Sequence, residues 1–240
     1  MSSLVTLLDK AYHGVLVKHY PKGQTIIHQG DQALEVLLLK RGIIKMYDMD
    51  TGGNEKILHL FNTPSIIPFT FFTGKEQALL WNYAALTDCD ISGIPNKVLV
   101  KKMMDDPELT VALRNWFATE VQEILVRLSS LGKSNTRDKV HTALKLLAIR
   151  HSAERNNGWW RVNFPVNHQL LADLTGMTRE SAATIMKSLK DEKIIRQPRM
   201  TVLEINLVKL TKASDGVAPG IFGISDVKSE KNRKGRFVGN

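Results

Sequence analysis

In "TGMTRESAATIMKSL", residues 175–189, one face of a predicted helix gathers Arg179, Glu180, Ala183, Thr184 and Lys187. Short side chains mixed with charged ones suit two surroundings: open solvent, or a DNA major groove where bases and phosphates are met at close range. The opposite face repeats Ala182, Ile185, Met186 and Leu189 at intervals of three and four, an apolar stripe that must be buried. Gly176 can take the positive φ that closes a preceding helix. Thr178 can cap the new helix by accepting a first-turn N–H. The stretch alone does not choose between solvent and groove, but its flanks do.

Upstream, residues 136–152 present Val140, Ala143, Leu144 and Leu147 on one face of another predicted helix. "RNNGWW" then turns into a strand ending at Phe164-Pro165, and Asn167 is placed to cap the short helix "HQLLADL". Downstream, "KIIRQPRMTVLEI" reads as strand, tight turn and strand, the pattern of a wing. Together these elements specify a winged helix-turn-helix over residues 133–211. The charge distribution agrees. Residues 1–132 carry 13 Lys+Arg against 14 Asp+Glu, whereas 133–211 carry 14 against 7 and 212–240 carry 6 against 3. A near-neutral front half joined to a basic back half suits a polyanionic partner for the latter. Beyond Thr211 the periodicity is lost, and 212–240 reads as a mobile basic tail.

The elements that must position this helix begin with a short helix at 3–12. From about 18 to 95 come strand-like runs separated by "YPKG", "HQGDQ", "KRG", "DTGGNE" and "NTP". Turn signals at that spacing predict a small β-roll or sandwich, filling a first domain over 1–105. Asp105-Asp106-Pro107 opens a long helix, 106–132, in the manner expected of a first turn. Its apolar positions run over three heptads and suit a dimer coiled coil, with Leu113, Phe117, Ile124, Leu128 and Leu131 as the expected interface. The fold class is therefore α+β: a β-roll, a long dimerisation helix and a winged helix-turn-helix.

Cys89, the single cysteine, excludes an intramolecular disulfide and any four-cysteine cluster. The seven histidines show no ligand spacing, and His28 and His59 each stand alone, so no metal, cofactor or catalytic residue is expected. The N-terminus lacks a basic segment followed by an apolar core, and a soluble, cytoplasmic protein is expected.

The order β-roll, long helix, hinge at Gly132-Lys133-Ser134-Asn135 and winged helix-turn-helix resembles the CRP/FNR family of bacterial transcription regulators, over about residues 3–207. "YPKGQTIIHQGD" leading into "LLLKRGIIKMY", "TGGNEKILHLF" and "NHQLLADLTGMTRESAATIMKSLKDEKII" carry the likeness, with Gly23, Gly30, Gly42 and Gly53 where the family turns its strands. The resemblance implies a homodimer that binds a palindromic duplex and meets RNA polymerase. It also implies that Arg179 and Glu180 reach base edges, with Thr178 and Ser181 near phosphates. His168, Gln169 and the wing's Arg199 are placed for further phosphate contact. The chemistry permits this, since an Arg fork fits guanine O6 and N7 and a Glu accepts from cytosine N4. Thr184 stands where many members carry a second arginine, and a threonine cannot fork.

The sensor half departs further from that pattern. Cyclic-AMP-binding members place Gly-Glu and Arg-Ser in the roll, where this sequence has Pro68-Phe69 and Leu79-Leu80. The long helix offers Ile124-Leu125 where polar base contacts would fall. A cyclic phosphate moved into such surroundings loses its hydration without recompense, so control by cyclic AMP is not expected. Lys75 is the nearest substitute cation in sequence. Phe69, Leu79, Leu80, Ile124 and Leu125 then form either a filled core or a pocket for an apolar or aromatic effector. Two other functional classes remain open at this point: a protein-interaction or RNA-binding module with a basic half, and a cupin-like metal enzyme.

Overall fold

The computed structural model describes residues 3–69, 78–156, 158–199 and 201–213. Lys75 and all of the expected tail from residue 214 onward lie outside the described residues. Ser3 caps α1 (Leu4–Ala11) by accepting from the Thr6 N–H at 3.2 Å. Among the described residues eight strands follow: β1 (Val17–Tyr20), β2 (Thr25–Ile27), β3 (Glu35–Arg41), β4 (Ile43–Met49), β5 (Glu55–Asn62), β6 (Ser65–Ile67), β7 (Asn82–Ala85) and β8 (Cys89–Pro95). They pair antiparallel into two four-stranded sheets, ordered β1-β8-β3-β6 and β2-β7-β4-β5. Leu39, Ile44, Phe61, Ile67 and Ile91 fill the space between the sheets. The four turn glycines named above all have positive φ. At Gly42, between β3 and β4, φ is 100° and a Cβ would stand 2.3 Å from the Asp88 carbonyl oxygen, so only glycine makes this turn.

The outer face of the first sheet is also covered. Val36, Leu38, Ile66 and Ile94 pack there against Leu7 and Leu8 of α1 and Tyr12 just after it, and against α2 (Asn96–Asp105) and the start of α3 (Pro107–Leu131). Asp106 caps α3, accepting from the Leu109 N–H at 3.1 Å, with Pro107 in the first turn. This covering corrects one expectation. Leu113, assigned from the heptads to the dimer seam, is 0% exposed and packs with Leu109 and Trp116 onto its own sheet. Phe117 is half-buried, its ring edge-on to Phe69 of the same chain at 5.4 Å.

The C-terminal half comprises α4 (Thr136–Arg150), β9 (Ser152–Asn156), β10 (Trp159–Val162), α5 (His168–Thr175), α6 (Arg179–Asp191), β11 (Ile195–Arg199), β12 (Val202–Asn206) and α7 (Leu207–Lys212). Its sheet runs β11-β12-β10-β9. The sequence pattern predicts a helix up to residue 152 followed by a turn, whereas the chain forms strand β9 from Ser152 to Asn156. "SAERN" has no apolar alternation to announce a strand, and its pairing with β10 makes it one. Val140, Leu144, Leu171, Met186 and Leu203 form the core of this half, continuous with Tyr47, Ile57 and Leu60 of the roll. The helix-turn-helix is thus docked directly on the β-roll. Among the described residues no helix is long and apolar enough to cross a membrane.

Candidate nucleic-acid interface and the sites behind it

Helices α5 and α6 are set by local chemistry. Asn167 accepts from the Leu170 N–H at 2.8 Å to start α5, and Gly176 ends it with φ 66° in the left-handed region. Thr178 accepts from the Ser181 N–H at 3.2 Å, which starts α6. Ala182, Met186 and Leu189 are buried, which fixes the rotation of α6 and leaves Thr178, Arg179, Glu180, Ser181, Thr184 and Lys187 exposed, with Ala183 half-buried among them. Several polar groups on this face are already engaged. The Thr178 hydroxyl donates to Ser181 Oγ at 3.0 Å, and Thr184 Oγ1 donates back to the Glu180 carbonyl at 3.0 Å. Gln169 is exposed and donates to Asp173 at 2.7 Å, and His168 beside it is half-buried.

The wing is braced from behind. Glu204 on β12 accepts from Arg161 of β10 at 2.9 and 2.8 Å and from Arg196 of β11, whose guanidinium lies 4.2 Å from the centroid of the Trp159 ring. Burial pushes the Glu204 carboxyl upward, but the two guanidiniums outweigh it and hold the pKa below its ordinary value. Arg199, at the exposed end of β11, is left facing outward.

Between the roll and α3 lies a cavity of about 370 Å³, almost wholly apolar, lined by Phe69, Leu79, Leu80 and Ile124 as expected and also by Met46, Ile57 and Arg127, among others. Leu125 does not line it; at 56% exposed, it points away. Leu128 and Leu131 border the cavity, and Leu128, at 63% exposed, is open to solvent in the single chain. Sequence reasoning missed Arg127, a cation inside an apolar seam. Its Nη2 donates both to the Ile57 carbonyl of β5 and to the Leu174 carbonyl of α5 at 2.8 Å. Burial pulls its pKa down to about 10, against the favourable charge of Glu123, so the guanidinium stays charged at neutral pH.

One and two turns earlier along α3, Glu123 and Glu120 are buried beside His59 of β5. His59 Nε2 is 2.6 Å from Glu120 Oε2, while Arg150 of α4 donates to Glu120 Oε1 and places Nε 2.8 Å from Glu123 Oε2. Burial raises the Glu120 carboxyl, yet His59 and Arg150 bring it below its ordinary value. For Glu123 burial wins and the pKa is raised. Glu120, paired with both His59 and Arg150, is therefore the hub of a cluster joining roll, long helix and C-terminal half, and His59, which stands alone in the sequence, is its anchor on the roll.

Sequence profiles agree with this division. The cyclic nucleotide-binding domain matches residues 17–106, and the Crp-like helix-turn-helix domain matches 141–211. The chain is 21% identical to the global nitrogen regulator of Synechococcus elongatus over 215 residues, covering 88% of this chain and 96% of that one. It is 26% identical to the HTH-type transcriptional regulator ArcR of Staphylococcus epidermidis over 187 residues, covering 75% and 77%. The solved structure of FixK2 from Bradyrhizobium japonicum superposes with a TM-score of 0.72 at 16% identity, over 85% of this chain and 99% of that one. The two profiles in this order, on a β-roll, a long helix and a winged helix-turn-helix, place the chain in the CRP/FNR family of transcription regulators.

Proposed function

We propose that this chain is a cytoplasmic, DNA-binding transcription regulator that acts as a homodimer on a palindromic duplex site, engages RNA polymerase there, and is not controlled by cyclic AMP. The observation that carries the reading is the outward face of α6. Arg179, Glu180, Thr184 and Lys187 stand open while Ala182, Met186 and Leu189 lock the opposite face into the core. A helix held on one side and open on the other suits groove insertion, and two such helices about a two-fold axis fit half-sites roughly 10 bp apart. Leu128, with Ile124 and Leu131 beside it, supplies the apolar surface that a second copy of α3 would cover.

The cavity supports an apolar or aromatic effector rather than a cyclic nucleotide. Among its described lining residues Arg127 is the one cation, and one of its terminal nitrogens is already committed to two carbonyls. A phosphate entering there would shed several kcal/mol of hydration with little in return.

Selection from a random duplex pool tests the reading. Enrichment of an inverted repeat with half-sites about one helical turn apart is the expected result. Equal retention of scrambled duplex, or preference for RNA, would favour the interaction or RNA-binding module instead.

A further inference from the structure

We propose that His59, Glu120 and Glu123 form a binding site for one divalent transition-metal ion, and that Arg150 occupies the place of that ion in the present arrangement. One ligand-capable atom from each of the three residues lies within 4.8 Å of the other two. The donors come from two elements that the fold holds rigidly together, β5 and α3, and the two glutamates sit one turn apart on the same helix face. One imidazole with two carboxylates is a donor mix for Zn²⁺ or Mn²⁺, lacking the thiolates that soft ions prefer and the six to eight oxygens that Ca²⁺ takes.

A second observation points to a ligand. Glu123 Oε2 is buried without a hydrogen bond, in a side chain 5% exposed, while His59 presents Nε2 rather than its unpartnered Nδ1 to Glu120. The 2.8 Å approach of Arg150 to Glu123 Oε2 is an ion pair that does not meet hydrogen-bond alignment. The cluster is therefore neutralised but not fully satisfied.

Charge explains how Arg150 and an ion would exclude one another. Glu120 and Glu123 balance Arg127 and Arg150; an ion in place of Arg150 leaves one excess positive charge and an ion beside it leaves two, so the two cations exclude one another. Arg150 is also the member with access to water, its side chain 27% exposed on the wall of an open cleft of about 580 Å³ shared with Asn62, Thr63 and Asn163. It can swing outward into that cleft and open the path by which an ion arrives. Metal–ligand bonds of about 2.1 Å at near-tetrahedral angles hold donor atoms about 3.4 Å apart, so His59 Nε2 and Glu120 Oε2, now 2.6 Å apart, would move apart to admit the ion. Because Arg150 ends α4, its departure also removes the ion pairs tying the C-terminal half to α3.

The test uses the full chain, stripped with chelator and titrated with Zn²⁺ and with Mn²⁺ by calorimetry. Arg150→Gln is expected to bind one ion per chain roughly tenfold or more tighter than the unaltered protein. Adding Glu120→Gln or His59→Gln to Arg150→Gln should abolish that gain, with circular dichroism confirming that each variant is folded. An unfolded chain also binds metal through exposed histidines, so the gain in Arg150→Gln counts for the site only with native circular dichroism and one ion per chain. Co²⁺ absorption in Arg150→Gln should show ligand-field bands that change when His59 is replaced. No saturable binding by Arg150→Gln, or binding unaffected by replacing His59 and Glu120, overturns the proposal. None of these readouts depends on DNA binding, so the site and the regulator reading can fail separately.

Discussion

Arg179 is the first residue of α6, held at the helix start by the Thr178 cap, and its guanidinium is free to project along a groove floor. Thr184, one turn on, has already given its hydroxyl hydrogen to its own helix and offers a methyl and a lone pair instead. Base discrimination is therefore expected to rest mainly on Arg179. Arg179→Ala should cost about 1–3 kcal/mol on the selected site and flatten its sequence preference, whereas Arg199→Ala should weaken all duplexes alike. Competition titrations with base-substituted duplexes check both; full discrimination retained by Arg179→Ala would remove α6 from the reading role. These residues were legible in the sequence because a cap, a left-handed glycine and a helical stripe are all encoded within fifteen neighbours. His59 was not legible: its partner Glu120 lies 61 positions later, and only the packing of β5 on α3 brings them together.

At the scale of elements, α3 shows what an apolar repeat leaves undetermined. Leu109, Leu113 and Trp116 resemble Ile124 and Leu128 in the sequence, yet the first group covers its own sheet while Leu128 stays open. A heptad pattern states that a face must be buried, not which surface buries it. The expected dimer contact contracts to the second half of the helix. Ile124→Lys with Leu128→Lys should give monomers by light scattering, since paired like charges would face one another across that contact. The wing offers a pH test. Glu204 has a folded pKa below its ordinary 4.5, so its contribution is complete above that value and is lost as pH falls below it. Glu204→Gln should speed amide exchange in β11 and β12 at pH 7, and the difference from the unaltered protein should shrink toward pH 3. A difference that persists unchanged at low pH would mean that the charge on Glu204 does not hold the wing.

For the molecule as a whole, the order of elements was readable from turn spacing, caps and charge, but the docking of α5 on β5 was not. That contact is carried by residues such as Tyr47, Ile57 and Leu60, which in the sequence look like ordinary strand interior. The same docking places the apolar cavity next to the DNA-binding half, and it makes the nucleotide question one for the intact chain. Calorimetry with millimolar cyclic AMP and cyclic GMP is expected to give no saturable heat and no change in duplex affinity. Saturable heat accompanied by tighter DNA binding would show that the losses at Phe69, Leu79, Leu80, Ile124 and Leu125 are compensated.

Arg127 joins the cavity, the β-roll and α5 through one guanidinium. A single nitrogen of its guanidinium serves a carbonyl of the sensor strand and a carbonyl at the end of α5, while the same residue lines the cavity. Anything in the cavity that draws this donor away from Leu174 changes the free energy of the helix pair that faces DNA. Thermodynamic reciprocity then requires the duplex to alter the affinity of that occupant by the same factor. An occupant could therefore be sought with operator DNA already bound, since the complex would favour or reject it in proportion to its regulatory strength.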